Sequence, residues 1–172
     1  MKQLYAYDFD KTLIPYDSFR RYLWHLMRYR PFNVSYLLLL RKLRIISNVK
    51  LKERVTRLVS SSPTLQQDAK LFAESIKKDI CWPNKHNDAT ILIITASPMV
   101  YMKYIVADLP YEILCSDYIE DQYIEMYGHT KASCLHQYYP TSQYIYTYAI
   151  SDSESDICWM QEFIQYKVIN QK

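Results

Sequence analysis

Asp8 and Asp10, in the run LYAYDFDKT, are two carboxylates two residues apart at the end of the apolar stretch Leu4 to Tyr7. That stretch is too short for a helix and apolar without alternation, the pattern of a buried strand. Carboxylates beside an apolar core are costly unless they hold a cation or take part in chemistry. Four later residues have matching character: Thr95 after ILII, Lys131 after Gly128-His129-Thr130, and Asp152 and Asp156 in SDSESD. Carboxylate oxygens are hard ligands for a divalent cation such as Mg²⁺, and a fixed ammonium with a hydroxyl suits the charge of a phosphoryl group. Taken singly, each has a plainer reading. Thr95 is a strand-end hydroxyl, Lys131 a solvated helix lysine, and Asp156 a helix cap or ion-pair partner.

The elements that must position these residues alternate between strand and helix. Strand patterns cover 4–7, 90–95, 112–116, 143–151 and 166–170, and DYIEDQYIEMYG reads as a β-hairpin. Asn87-Asp88 leads into the second strand. Helical patterns cover 18–30, ended by Pro31, then 33–47, 49–60 and 64–80, with no strand among them. Later helices fall at 99–106 and 130–138, and a loop enters a short helix after Ser151. Asp17 or Ser18 can cap the first helix, and Ser62-Pro63 opens the fourth. Ser97 reads equally as a cap before Pro98 and as a phosphate contact. The sum is an α/β fold: a Rossmann-like three-layer α/β/α core with a mainly parallel sheet, interrupted early by an all-helical insert. The core is expected over 1–14 and 84–172, and a helical cap over 15–83. In a parallel sheet the carboxyl ends of the strands share one edge, where ligands bind.

The chain has 172 residues, enough for one substantial core and a small appendage. Its four cysteines are widely spaced with no CxxC pair, which argues against a zinc site or disulfide framework and suits a reducing, cytoplasmic setting. No cleavable signal is visible ahead of the first strand. The net charge of +3 conceals a division. All eight arginines lie between residues 20 and 57, and residues 14–60 carry eleven Lys/Arg against two acids, a local +9 that leaves −6 elsewhere. That segment is expected to meet an anionic partner. Arg20 and Arg21, nearest in sequence to the aspartates, are candidates for contact with a substrate phosphate.

In this order the motifs resemble those of the haloacid dehalogenase-like phosphohydrolases, in the phosphoserine-phosphatase-like branch with a helical cap: Asp8-Phe9-Asp10-Lys11-Thr12, then Thr95, Lys131, and Asp152-Ser153-Glu154-Ser155-Asp156. The resemblance implies Mg²⁺-dependent hydrolysis of a phosphate monoester. Asp8 would be the nucleophile, forming an aspartyl-phosphate, and Asp10 the general acid and then base. Asp8, the backbone carbonyl of Asp10 and Asp152 would hold the metal, Asp156 would support the metal's waters or Lys131, and Thr95 and Lys131 would bind phosphoryl oxygens. Ser151 stands where the family usually carries Gly before the last motif, which predicts a loop that sits differently and an altered metal affinity.

A looser resemblance, to phosphatidylglycerophosphatases of the C type, rests on Asp17-Ser18-Phe19-Arg20, MRYRPFNVSYLLLL and GHTKASCL. It implies a glycerolipid phosphate as substrate. Val34 to Leu40 is too short to span a bilayer, and Arg41, Lys42 and Arg44 follow it. The segment fits a core helix of the cap or a helix lying in the interface of an anionic membrane. The partners expected are thus a phosphorylated small molecule or a lipid head group, with peripheral membrane contact as one reading and no nucleic acid. Three alternatives stand beside it: the same chemistry on a soluble ester such as phosphoserine, a non-catalytic phosphate- or membrane-binding module, and a signalling phosphoacceptor.

Overall fold

The computed structural model describes residues 1–84 and 88–169. Strands β1 (Lys2–Tyr7), β2 (Ala89–Pro98), β3 (Glu112–Ile119), β4 (Gln122–Ile124), β5 (Tyr144–Ser151) and β6 (Gln165–Val168) form one sheet in the order β4-β3-β2-β1-β5-β6. β1 pairs in parallel with β2 on one side and β5 on the other; β2 pairs in parallel with β3, and β5 with β6. β4 returns antiparallel to β3 as the expected hairpin, although β3 runs unbroken into it. The chain therefore builds outward from β1 in one direction, then crosses to the other side at β5. This reversal opens a crevice beyond the carboxyl end of β1.

β2 explains why the sheet is covered on both faces. Thr90 to Thr95 are all buried, the continuous apolar run of a strand with helices above and below. Ile93 joins a core with residues of α1 (Ser18–Leu26), α2 (Pro31–Lys42), α3 (Asn48–Ser60), α4 (Pro63–Ile76) and α5 (Met99–Val106). Leu4, Ala6, Leu92 and Ile94 face the other way, against Leu135 of α6 (His129–Tyr138) and Trp159 and Met160 of α7 (Ile157–Met160). The result is the three-layer α/β/α arrangement.

The helix boundaries have local causes. The carboxylate of Asp17 accepts the Arg20 N–H at 2.8 Å and the Ser47 hydroxyl accepts that of Lys50 at 3.1 Å, supplying partners to first-turn donors. Pro31 and Pro63 occupy first-turn positions, where a missing N–H costs nothing. α1 stops at Leu26, short of Arg30, because Arg28 and Tyr29 tighten into turns on the carbonyls of His25 and Leu26. α2 stops at Lys42, short of Ser47, as Arg44 takes a left-handed backbone at φ 59°. The helix expected to reach residue 80 ends at Ile76 and passes into a 3₁₀ turn over Lys77–Asp79. Asn87, before the second strand, and Asn170, at the end of the last, lie outside the described residues.

Candidate active site

Asp8 follows β1 directly, and its N–H continues the ladder to the Ile150 carbonyl of β5 at 2.9 Å. The chain then folds back on itself. The Phe9 carbonyl receives the N–H groups of Thr12, Leu13 and Ile14, and Lys11 adopts a left-handed backbone at φ 55°. Phe9 is buried in the helical core, which anchors the turn and leaves its two acidic neighbours at the crevice.

Lys131 reaches the same place from the opposite layer. Gly128 precedes α6 with φ 52° and ψ −123°, a conformation that L side chains avoid, and Lys131 enters two residues into the helix. Its ammonium is 2.7 Å from Asp8 Oδ1 and 2.7 Å from Asp156 Oδ2, with all three side chains buried. Burial pulls the lysine towards neutrality, but the facing carboxylates of Asp8 and Asp156 outweigh it and the net direction is up, so Lys131 keeps its proton. Burial pushes Asp8 up to about 7; Lys131 opposes that shift, while Asp156 and Asp10 add to it.

Asp10 is held from the helical side. Ser18 N–H donates to its Oδ1 at 2.6 Å and the Ser97 hydroxyl to its Oδ2 at 2.5 Å. Ser97 Oγ lies 3.0 Å from Ser18 Oγ, which lies 3.0 Å from the Tyr101 hydroxyl. Burial raises the pKa of Asp10 even though these serine hydrogen bonds favour the ionised form. Thr95, at the end of β2, is buried, and its hydroxyl accepts the Ser97 N–H at 3.1 Å. Asp152 lies beyond β5, 3.9 Å from Lys11 Nζ, with its pKa raised by burial.

The six residues singled out by the sequence, Asp8, Asp10, Thr95, Lys131, Asp152 and Asp156, line one cavity of about 180 Å³. Asp17, Lys11, Tyr127, Ser153 and Ser155 complete its wall. Five carboxylates thus face two ammonium groups, an imbalance that favours a cation. Asp156 Oδ1 is buried without a hydrogen-bond partner in the structure, an unused acceptor of the hard-oxygen kind Mg²⁺ takes. These donors fit the metal by chemistry. Among the described residues no three His, Cys, Asp or Glu side chains close around one point, and the Lys131 ammonium bridges Asp8 and Asp156.

Arg20 and Arg21, expected near a substrate phosphate, do not line this cavity. The Asp17 cap sets the phase of α1 so that Ser18, Phe19 and Tyr22 point inward while both arginines point out. Arg21 lies over the Tyr16 ring at 4.4 Å and pairs with Asp79 at 3.2 Å. A basic residue of the helical segment that does border the adjoining hollow is Lys52 of α3, which donates to the Ala96 carbonyl at 2.9 Å and to Glu125 at 2.6 Å. With Asn48, Phe19 and Ser97 it lines a second hollow, of about 450 Å³, that shares Asp10, Asp17, Ala96 and Tyr127 with the first. Sequence reasoning missed Lys52 because it looks like any charge on an amphipathic helix. Ser151 also has a defined part. Its hydroxyl donates to Asp156 Oδ2 at 2.7 Å and accepts the Ser153 N–H at 3.2 Å.

Fold and site together define a doubly wound α/β protein with a carboxylate- and lysine-lined cavity at its switch point. The chain belongs to the haloacid dehalogenase-like hydrolases, whose family model matches residues 6–161. Among solved structures it is similar to a protein of unknown function from Bordetella pertussis Tohama I, at 15% identity and a TM-score of 0.71, covering 100% of this chain and 92% of that one. It is also similar to a substrate-bound phosphoserine phosphatase, at 13% identity and a TM-score of 0.55, covering 96% and 85%. A phosphoserine phosphatase solved as a phospho-aspartyl intermediate analogue gives 13% and 0.52 over the same shares. These likenesses establish the fold. No curated protein sequence matches.

Proposed function

We propose that the protein is a Mg²⁺-dependent phosphomonoesterase that works through an aspartyl-phosphate on Asp8. The observation that carries this reading is the buried Lys131 ammonium fixed on Asp8, with Asp10 and Thr95 in the same cavity. Membership of the hydrolase family and the fold shared with phosphoserine phosphatases support it.

A Asp8 carboxylate oxygen attacks phosphorus as the bond to the leaving oxygen breaks, and Asp10 gives that oxygen its proton. Water then attacks the phosphoryl group, Asp10 takes its proton, and cleavage of the phosphorus–Asp8 bond releases phosphate. Thr95 and Lys131 offer a hydroxyl and a fixed cation to the non-bridging oxygens. Asp8, Asp152, Asp156 and the carbonyl of Asp10 would hold Mg²⁺, which when bound neutralises phosphoryl charge and keeps Asp8 ionised. Asp10 needs both protonation states, and its hydroxyl chain suits that need. Reversing the direction of donation along Ser97, Ser18 and Tyr101 lets Ser97 donate to the carboxylate or accept from the acid.

Residues 15–83 act in this reading as a helical cap on a core of 1–14 and 84–172, with Lys52 at the leaving group's hollow. The substrate is a phosphorylated small molecule or a lipid head group. Hydrolysis of an ester panel with Mg²⁺, with chelator, and by Asp8→Asn tests the reading. Mg²⁺-dependent release of phosphate that Asp8→Asn abolishes is expected, and undiminished release by that variant overturns it.

A further inference from the structure

α2 has two opposed apolar stripes. Val34 and Leu37 are buried and fasten the helix to the core. Phe32, Tyr36, Leu39 and Leu43 recur at helical spacing on the outer face and are 88%, 59%, 52% and 60% exposed. Ile45, just past the helix, is 64% exposed. A second row of large apolar side chains is what a docking face needs and a solvated face does not.

Cations flank this stripe at both ends. Arg28 and Arg30 precede it, and Arg41, Lys42 and Arg44 surround its last residue, Leu43. Arg41 bonds to Asn48, and among the described residues none of the five forms an ion pair with a carboxylate. No Asp or Glu occurs between Asp17 and Glu53. Beside the stripe, α2 and α3 enclose a groove of about 330 Å³, walled by Tyr36, Leu37, Leu58, Arg54 and Arg57. Arg57 is paired with Glu53 at 3.3 Å, and Arg54 stands beside the same apolar wall, a combination that suits a phosphate at the edge of a hydrocarbon layer.

We propose that the outer face of α2 is a peripheral docking site for an anionic lipid surface. The stripe would settle into the head-group boundary while the flanking arginines and lysine meet lipid phosphates. Among the described residues no helix is long and apolar enough to cross a bilayer, so this contact lies on the membrane and does not span it. Charge complementarity selects this occupant over a second copy of the chain, whose facing cations would repel. The inference goes beyond the catalytic reading and does not depend on it.

Cosedimentation with vesicles of phosphatidylcholine, with and without phosphatidylglycerol, tests it without any turnover. Wild-type protein is expected to bind the mixed vesicles, to bind pure phosphatidylcholine weakly, and to be released by salt. Phe32→Ser with Leu39→Ser should lower partitioning by about tenfold or more. Each of Arg28→Gln, Arg30→Gln and Arg44→Gln should lower it by about fivefold. All these side chains are exposed, so unchanged circular dichroism and melting temperature are expected alongside. Absence of binding to mixed vesicles, equal binding to both kinds, or indifference to the apolar double variant overturns the proposal. So does a dimer in solution that the double variant dissociates.

Discussion

The crevice beyond β1 and the outer face of α2 use charge in opposite ways. In the crevice Lys131 is buried and each of its carboxylate partners lies at 2.7 Å, so the groups are fixed before any ligand arrives. On α2 the cations are not ion-paired among the described residues and stand beside exposed apolar side chains. Fixed, desolvated charge suits a reaction, because the environment need not reorganise as the transition state forms. Mobile, hydrated charge suits a soft, extended partner, with affinity set by the number of contacts and by salt. The two regions should therefore respond to substitution very differently.

The sharpest contrast is in turnover. Asp8→Asn should reduce Mg²⁺-dependent phosphate release by at least about 10³-fold, as loss of a nucleophile does. Phe32→Ser should leave hydrolysis of a soluble ester unchanged, since Phe32 lines neither hollow at the site. Steady-state assays on the same ester compare them. Stability comes next. Lys131→Met strands two buried carboxylates and should cost about 3–5 kcal/mol by urea unfolding. Arg44→Gln, at the surface, should stay within about 0.5 kcal/mol.

How much of this was legible in the sequence depended on whether the signal was local. The six cavity residues announce themselves by type and position, and a parallel sheet then brings their strand ends together. Lys52 gives no such signal, for its partners Ala96 and Glu125 lie 44 and 73 residues away. Arg20 and Arg21 are near the aspartates in sequence yet face outward, because nearness in sequence says nothing of helix phase, which the Asp17 cap decides. In the sequence Tyr36 to Leu40 is apolar all round. Docking of Val34 and Leu37 against the core is what defines an outer face. Ser151 replaces the glycine expected from the family resemblance, yet its hydroxyl joins the loop's own network.

Two smaller effects sharpen the comparison. Lys52→Met removes a charge-assisted bond to Glu125 and should cost about 1.5 kcal/mol, with a rise in KM exceeding the fall in kcat. Kinetics on soluble esters separate the two constants. In chelator, the pH dependence of melting reports Asp8. Its folded pKa of about 7 lies above the ordinary 3.8, so between these values the folded chain holds a proton that the unfolded chain has released. This group's contribution to stability is therefore present below that window and is lost as pH rises through it. Asp8→Asn should make the fall in melting temperature with rising pH shallower, whereas Arg44→Gln should leave its slope unchanged.

The most direct measurement is to mix enzyme, Mg²⁺ and a hydrolysable ester, quench in acid within the first turnovers, and locate the phosphoryl group by peptide mass spectrometry. A phosphoryl group on Asp8, absent from Asp8→Asn, is the result expected. Turnover with the label on another residue, or with Asp8 unmodified while a different side chain proves essential, would contradict the assignment.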